Sequence, residues 1–235
     1  MTETGDFWDT NLLLGYTVDW DRLGPPVDAY LQLRGSHRET IASTRVFEEA
    51  RRVVEKQRRR ARTAADRVFE QFDAGRHDTV DDVKDFVCAE FADDWGKVGP
   101  VLDYIDHHDS AFLGLTETDS ERVLQSTFEE ITDDFAEPDD SVQRLRRGGG
   151  ALALEQFTGG LDSYRSEYAA RYDKLDGLLD DTDRDLLLDS HHAVAVTERS
   201  GLGFATFDRG DIADNDEAIE ACLDGVSVVD CWQFS

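Results

Sequence analysis

Four acidic side chains, two towards each end of the chain, are candidate ligands of a single metal site. Asp189 lies in a segment with a helical pattern, and Asp208 follows nineteen residues later at the end of the apolar segment Phe-Ala-Thr-Phe. Near the amino end, Asp9 precedes an apolar run, and Glu49 follows the segment Ser-Thr-Arg-Val-Phe-Glu. Carboxylates packed together repel one another and bind protons more tightly unless a divalent cation neutralises them. Because all the donors are oxygens, this set predicts Mg²⁺ or Mn²⁺ rather than Zn²⁺.

The residues alone leave alternatives at each of these positions. Each of three predicted ligands has a second acid close by: Asp185 near Asp189, Glu48 beside Glu49, and Asp211 near Asp208. Asp9 is also followed by Thr-Asn, so it could serve as a helix N-cap.

The elements that would position these acids alternate between strand and helix. A short strand is predicted to end at Asp9 and to be followed by a helix, and Ser43 is a suitable N-cap for a helix that runs beyond Arg60. Towards the carboxyl end the pattern predicts a helix over 186–197, a strand over 204–207, a helix over 218–223 and a strand over 226–229. This order predicts a three-layer α/β/α fold with a mainly parallel central sheet, in which ligands lie at the carboxyl ends of the strands.

The middle of the chain has a different character. Residues from about 63 to 180 have an overwhelmingly helical pattern, interrupted by polar stretches, which predicts a large helical insertion or cap. We therefore expect one domain over 1–235, with its core formed by about 1–62 and 181–235. Three consecutive glycines at 148–150 indicate a helix break rather than a phosphate-binding loop, because no Gly-Lys-Ser/Thr follows them.

The charge of the chain is unusual. It carries 52 acidic against 25 basic residues, a net charge of −27. This excess resembles that of proteins from salt-accumulating halophiles, in which high salt screens the repulsion between surface acids. The acidity is therefore no argument against a nucleic-acid partner. The sequence has no long apolar run and no secretory signal pattern at its amino terminus, so we expect a cytoplasmic protein that does not enter a membrane.

Three local motifs resemble those of PIN domains, a family of α/β nucleases. Asp9-Thr-Asn11 resembles the opening Asp-Thr-Asn/Ser motif, Ser43 to Glu49 resembles the family's Ser-to-Glu helix, and Asp189 with Thr206-Phe-Asp208 resembles its closing half. The resemblance covers the two ends of the chain, whereas the helical middle matches no part of the family.

The resemblance implies a metal-dependent ribonuclease that hydrolyses RNA phosphodiester bonds. By this likeness Asp9, Glu49, Asp189 and Asp208 are catalytic metal ligands for Mg²⁺ or Mn²⁺, and Asn11 and Thr206 orient them. Asp189 is preferred over Asp185 because its distance to Asp208 fits the family pattern. A toxin-type endoribonuclease neutralised by an antitoxin is one form of this hypothesis. The alternative is a catalytically silent PIN-like module that binds nucleic acid or protein, or that forms a homo-oligomer.

Two further patterns bear on function. The segment from Arg45 to Arg67 holds nine basic against four acidic residues, and it supplies Arg45, Arg52 and Arg59 as candidates for contact with RNA. The segment Asp106-His-His-Asp109 resembles a motif of a phosphoesterase family. The other motifs of that family do not accompany it, and this favours a polar helix end.

Overall fold

The computed structural model describes residues 4–18, 21–35, 38–72, 79–115, 120–147 and 152–235. It confirms the α/β class, with one central sheet of five parallel strands. The strands are β1 Gly5–Trp8, β2 Glu39–Ser43, β3 Leu154–Phe157, β4 Leu202–Thr206 and β5 Val226–Asp230. The helices are α1 Thr10–Thr17, α2 Gly24–Leu33, α3 Thr44–Phe72, α4 Val80–Trp95, α5 Gly99–His107, α6 Asp109–Gly114, α7 Ser120–Asp134, α8 Pro138–Arg147, α9 Tyr164–Glu167, α10 Ala169–Leu175, α11 Asp181–Thr197 and α12 Asp216–Cys222.

The strand order places a topological switch point at the centre of the sheet, between β1 and β4. The order is β3-β2-β1-β4-β5, and each neighbouring pair is parallel. The chain therefore proceeds outwards from β1 through β2 to β3, and then returns to the other side of β1 to form β4 and β5. Right-handed crossovers place helices on both faces of such a sheet. The carboxyl ends of β1 and β4 border the switch point, where open α/β sheets bind their ligands.

Large apolar side chains hold the centre of the sheet. Phe7 in β1 pairs in register with Ile41 in β2 and with Phe204 in β4. All three are at most 1% exposed, and the rings of Phe7 and Phe204 stack with centroids 5.9 Å apart. Burial of this kind fixes the register, because a slip by one residue would move every side chain to the other face. It thereby fixes which residues emerge at the carboxyl ends of the strands.

The chain forms two compact units. One comprises Met1–Thr17, Leu23–Arg51 and Pro138–Ser235, and it contains the whole sheet. The other comprises Val18–Arg22 and Arg52–Glu137, which includes most of α3 together with α4 to α7. The core of this second unit contains buried aromatic side chains such as Tyr104, Phe112 and Phe135.

The middle of the chain is mainly helical, as predicted, but it also contains a strand that was not predicted. Residues 154–157 form β3, an edge strand that pairs with β2 in the register Thr40 to Leu154 and Ser43 to Phe157. This pairing joins Leu154–Phe157 to the sheet, and the first compact unit includes Pro138–Ser235. The predicted helix break at 148–150 lies outside the described residues. Within the described ranges, no helix combines the length and the apolar character needed to cross a bilayer.

Candidate metal centre

Asp9 emerges from the carboxyl end of β1 and is 4% exposed. Its Oδ1 accepts a hydrogen bond from the backbone N–H of Thr10 at 2.6 Å, and its Oδ2 accepts from Oγ1 of Thr206 at 2.7 Å and from Nδ2 of Asn11 at 3.3 Å. These bonds fix both oxygens of the carboxylate. The bond from Thr10 comes from the first residue of α1, whereas an N-cap side chain accepts from the second or third residue, so this bond fixes the carboxylate without capping the helix.

Thr206 connects Asp9 with Asp208 across the switch point. Its hydroxyl donates to Asp9 and accepts from the backbone N–H of Asp208 at 2.9 Å. Asp208 follows the end of β4 by two residues and is half-buried. Its Oδ1 accepts from the backbone N–H of Asp211 at 3.0 Å, which shapes the turn, while Asp211 itself is exposed. The alternative acid therefore takes part in this turn through its backbone.

Glu49 reaches the same group from α3. Its Oε2 accepts from Oγ1 of Thr10 at 2.7 Å, so the residue that follows Asp9 connects the two acids. Ser43 sets the register of this helix, because its Oγ accepts from the backbone N–H of Val46 at 3.4 Å in the manner of an N-cap. Glu49 is half-buried, whereas Glu48 is exposed.

A residue that the sequence analysis did not consider joins these three acids. Asp183 lies in the first turn of α11, after the N-cap Asp180, and is half-buried. Its pKa is raised from 3.8 to about 7. Burial is the largest cause, and the negative charges of Asp180, Asp9, Asp208 and Glu49 contribute the rest. The structure therefore brings Asp9, Glu49, Asp183 and Asp208 within electrostatic reach of one another. The sequence contains no signal that separates Asp183 from Asp181, because both precede the apolar run that begins at Leu186.

The pKa of Asp9 is also raised. Burial raises its pKa from 3.8 to about 6, although the hydrogen bonds from Thr206 and Thr10 act in the opposite direction. The charges of Glu49 and Asp208 add to the rise. Two acids of one group thus hold protons far more tightly than they would in water, which is the condition that a bound cation relieves.

Asp189 lies in different surroundings, two turns further along α11. It is fully buried, and its Oδ1 accepts a short hydrogen bond from the hydroxyl of Tyr164. Its Oδ2 lies 3.6 Å from Nε of Arg45. Burial raises its pKa, while Tyr164, Ser43 and Arg45 lower it. These contacts fix its orientation, while its buried Oδ2 has no hydrogen-bond partner among the described residues.

Asp189 also borders a cavity of about 270 Å³. The cavity is lined by Ser43, Thr44, Arg45, Glu48, Thr158, Gly160, Leu161, Asp162 and Asp189. Gly160 approaches closely, since a Cβ atom there would lie 2.8 Å from Oδ1 of Asp189. Asp185, the alternative to Asp189, is half-buried and lies 3.3 Å from Nη1 of Arg45. Arg45 therefore holds both acids of α11 that the sequence offered as alternatives.

The three arginines predicted to contact RNA differ in their surroundings. Arg45 is engaged by Asp185 and Asp189, by the carbonyl of Leu161 and by the ring of Tyr164. Arg52 and Arg59 are exposed on α3.

Several neighbouring bases on α3 serve internal contacts instead. Arg60 donates to the carbonyls of Trp95 and Lys97 at 2.6 and 3.0 Å. Arg62 donates to Thr132 at 2.7 Å. The local excess of positive charge is thus partly structural.

The four acids of the candidate centre are neighbours without forming a tight cluster. Across the described ranges, only His108, Glu130 and Asp134 form a group of three or more potential ligands whose donor atoms all lie within 4.8 Å of one another. The side chains of Asp9, Glu49, Asp183 and Asp208 would have to move closer to one another before three of them could hold one ion. Glu49, Asp183 and Asp208 are only half-buried, which leaves room for such movements.

Comparison of the chain with protein-family models, with curated proteins and with solved structures found no match. The likeness to PIN domains therefore rests on the motifs quoted above.

Proposed function

We propose that this protein is a metal-dependent ribonuclease whose centre consists of Asp9, Glu49, Asp183 and Asp208. The observation that carries the proposal is the hydrogen-bonded series from Glu49 through Thr10 to Asp9 and on through Thr206 to Asp208. It brings acids from both ends of the chain to the switch point of a parallel sheet. Asp183 takes the place that the sequence motifs gave to Asp189.

The residues fit a hard divalent cation. Their donor atoms are carboxylate oxygens, which Mg²⁺ and Mn²⁺ prefer, and the raised pKa values of Asp9 and Asp183 are lowered when a cation neutralises the group. When bound, such a cation activates a water for attack on phosphorus and stabilises the charge that develops on the phosphate.

The neighbouring polar residues have positioning roles in this proposal. The hydroxyl of Thr206 donates a hydrogen bond to Oδ2 of Asp9, and the hydroxyl of Thr10 donates one to Oε2 of Glu49. Asn11 also donates to Oδ2 of Asp9. Each donor selects the ionised form of its carboxylate and fixes its direction. Asp189 supports α11 through Tyr164 and Arg45 and is not a ligand.

The choice of RNA as substrate rests on the likeness of the motifs to PIN domains. Arg52 and Arg59 are exposed cations that suit contact with phosphates. Within this proposal the protein acts in the cytoplasm, and a small antitoxin is a candidate regulator.

A cleavage assay tests the proposal. Full-length protein in about 1 M KCl, which screens its negative charge, is incubated with end-labelled single-stranded RNA and Mn²⁺. We expect cleavage that chelation abolishes and that Asp9→Asn and Asp183→Asn reduce to background. Asp211→Asn is the matched control, because Asp211 is exposed and contributes its backbone to the turn; it should cleave as the wild type does. Absence of cleavage by folded wild-type protein with Mn²⁺ and with Mg²⁺ would overturn the proposal.

A catalytically silent module is the second candidate. The observation that favours it is the absence, across the described residues, of three acids in the candidate centre with donor atoms within 4.8 Å. RNA binding without cleavage in the same assay would support this candidate.

A further inference from the structure

The segment Asp106-His-His-Asp109 does not act as a unit. Asp106 pairs with Nζ of Lys84 at 2.6 Å, and the carboxylate of Asp109 accepts from the backbone N–H of Ser110. His108, at the junction of α5 and α6, instead contacts two acids of α7. All of these residues belong to the second compact unit.

The two ring nitrogens of His108 have different surroundings. Nδ1 lies 3.1 Å from Oε1 of Glu130 and forms a hydrogen bond with it. Nε2 lies 3.1 Å from Oδ2 of Asp134, yet it forms no hydrogen bond with any residue that the structure describes. Two potential metal-binding atoms therefore lie close together without a hydrogen bond between them.

The hydrogen bond at Nδ1 determines what Nε2 can do. Glu130 accepts, so Nδ1 carries the proton, and in the neutral ring Nε2 then presents a lone pair beside the oxygen of Asp134. Two lone pairs at this distance repel unless a cation lies between them. Two donors 3.1 Å apart can each lie about 2.1 Å from one metal ion at an angle slightly above 90°, which suits ordinary coordination.

The surroundings supply the supporting contacts of a metal site. The hydroxyl of Tyr104 donates to Oδ2 of Asp134 at 2.9 Å, and its ring lies against that of His108 with centroids 4.4 Å apart. The side chain of His108 is 12% exposed, whereas that of Asp134 is 28% exposed, so water can complete the coordination. A histidine whose second nitrogen donates to a carboxylate is the usual arrangement around protein-bound zinc.

We infer that His108 Nε2 and the carboxylate of Asp134 bind Zn²⁺, with Glu130 orienting the imidazole. The mixed nitrogen and oxygen donors suit zinc, in contrast to the oxygen-only set around Asp9. This site is independent of the proposed nuclease centre. Its ion would connect the α5–α6 junction to α7.

The competing explanation is a protonated His108 that forms ion pairs with Glu130 and Asp134. The pKa of Asp134 is raised, chiefly by burial, although the hydrogen bond from Tyr104 and the charges of His108 and His107 act in the opposite direction. A measurement must therefore distinguish a metal at Nε2 from a proton.

Nitrogen NMR of full-length protein labelled with ¹⁵N-histidine makes this distinction. With one equivalent of Zn²⁺ at neutral pH, we expect the Nε2 resonance of one of the six imidazoles to move. His108→Asn should remove that resonance, whereas His107→Asn should keep both the resonance and its shift. No movement of any imidazole resonance, or movement that survives His108→Asn, would overturn the inference.

Two further variants cover the case in which His108→Asn fails to fold. Asp134→Asn keeps all six histidines and should abolish the shift. Glu130→Gln removes only the orienting carboxylate and should weaken Zn²⁺ binding by about 10- to 100-fold. Unchanged binding in both variants would contradict the assignment of ligands. Because the carboxylate centre contains no histidine, the outcome does not depend on nuclease activity.

Discussion

The hydroxyl of Thr206 donates to Oδ2 of Asp9 over 2.7 Å, although the two residues are 197 positions apart in the chain. The same hydroxyl accepts from the backbone N–H of Asp208. The backbone ladder holds the carboxyl ends of β1 and β4 side by side, and this buried threonine orients the carboxylate of Asp9 relative to Asp208. The candidate centre depends on this contact because its acids come from both ends of the chain.

Removal of this hydroxyl should weaken metal binding without unfolding the protein. Thr206→Val preserves the shape of the side chain but leaves Asp9 without one donor, so the pKa of Asp9 should rise above its value of about 6. We expect Mn²⁺ affinity, measured by titration calorimetry, to fall by about 10- to 100-fold. Thr17→Val is the control, since Thr17 is buried and its hydroxyl donates to backbone carbonyls within α1. Equal Mn²⁺ affinity in Thr206→Val and the wild type would contradict the positioning role.

Neutralisation of Asp9 should stabilise the metal-free protein at neutral pH. The folded carboxyl has a pKa of about 6 against 3.8 for an ordinary aspartate, so folding takes up a proton between these pH values. Stability from this group is therefore present at low pH and is lost as pH rises from about 4 to about 6. The full difference in pKa corresponds to about 3 kcal/mol in the free energy of unfolding. The gain in Asp9→Asn should be smaller, because the amide alters the hydrogen bonds of this side chain.

Denaturant unfolding with a chelator present, measured at several pH values, checks this expectation. The free energy of unfolding of Asp9→Asn relative to the wild type should rise between pH 4 and pH 7. A difference that does not change with pH would show that Asp9 titrates as an ordinary carboxyl.

The buried acid within β1 is held by an ion pair. Asp6 is fully buried and paired with Arg34, whose Nη2 lies 2.8 Å from Oδ1, and it accepts from the hydroxyl of Tyr30 at 2.8 Å. Loss of one partner from a buried pair leaves a charge without compensation. We expect Asp6→Ala to lower the free energy of unfolding by about 3–5 kcal/mol in urea denaturation. The more exposed pair of Arg51 and Asp139 provides the control, because Asp139→Ala should cost no more than about 1 kcal/mol.

Salt should stabilise the whole chain. With a net charge of −27, the folded protein experiences strong repulsion between its surface acids. Screening shortens the reach of this repulsion from about 10 Å at 0.1 M to about 3 Å at 1 M salt. The melting temperature should therefore increase steadily with KCl, and NaCl should act equally if screening is the cause. A melting temperature independent of salt would contradict the halophile-like interpretation of the composition.

The sequence predicted those elements whose hydrophobic pattern is local. The helix around Asp189, the strand before Asp208 and the short strand before Asp9 all occur at the expected places. In contrast, β2 and β3 were not predicted, because Glu39–Ser43 and Leu154–Phe157 are short and their pairing joins segments that are distant in the sequence. The periodicity of four or five residues cannot reveal such pairing.

The candidate centre shows the same limit. Asp9, Glu49 and Asp208 were recognised from motifs, whereas the choice among acids of α11 depends on where the helix begins relative to the sheet. Asp183 lies in its first turn, beside the carboxyl ends of the strands, and Asp189 lies two turns further on against Tyr164. Spacing along the chain cannot distinguish these acids, because it contains no information about the docking of the helix.

Anomalous diffraction from a crystal soaked with Mn²⁺ tests the central claim most directly. We predict a peak bounded by carboxylate oxygens of Asp9, Asp183 and Asp208, with Glu49 nearby, and no peak at Asp189. A crystal of Asp183→Asn soaked in the same way should show a weaker peak or none. A peak coordinated by Asp189, or the absence of any peak at the carboxyl ends of β1 and β4 in the wild type, would contradict the proposed centre.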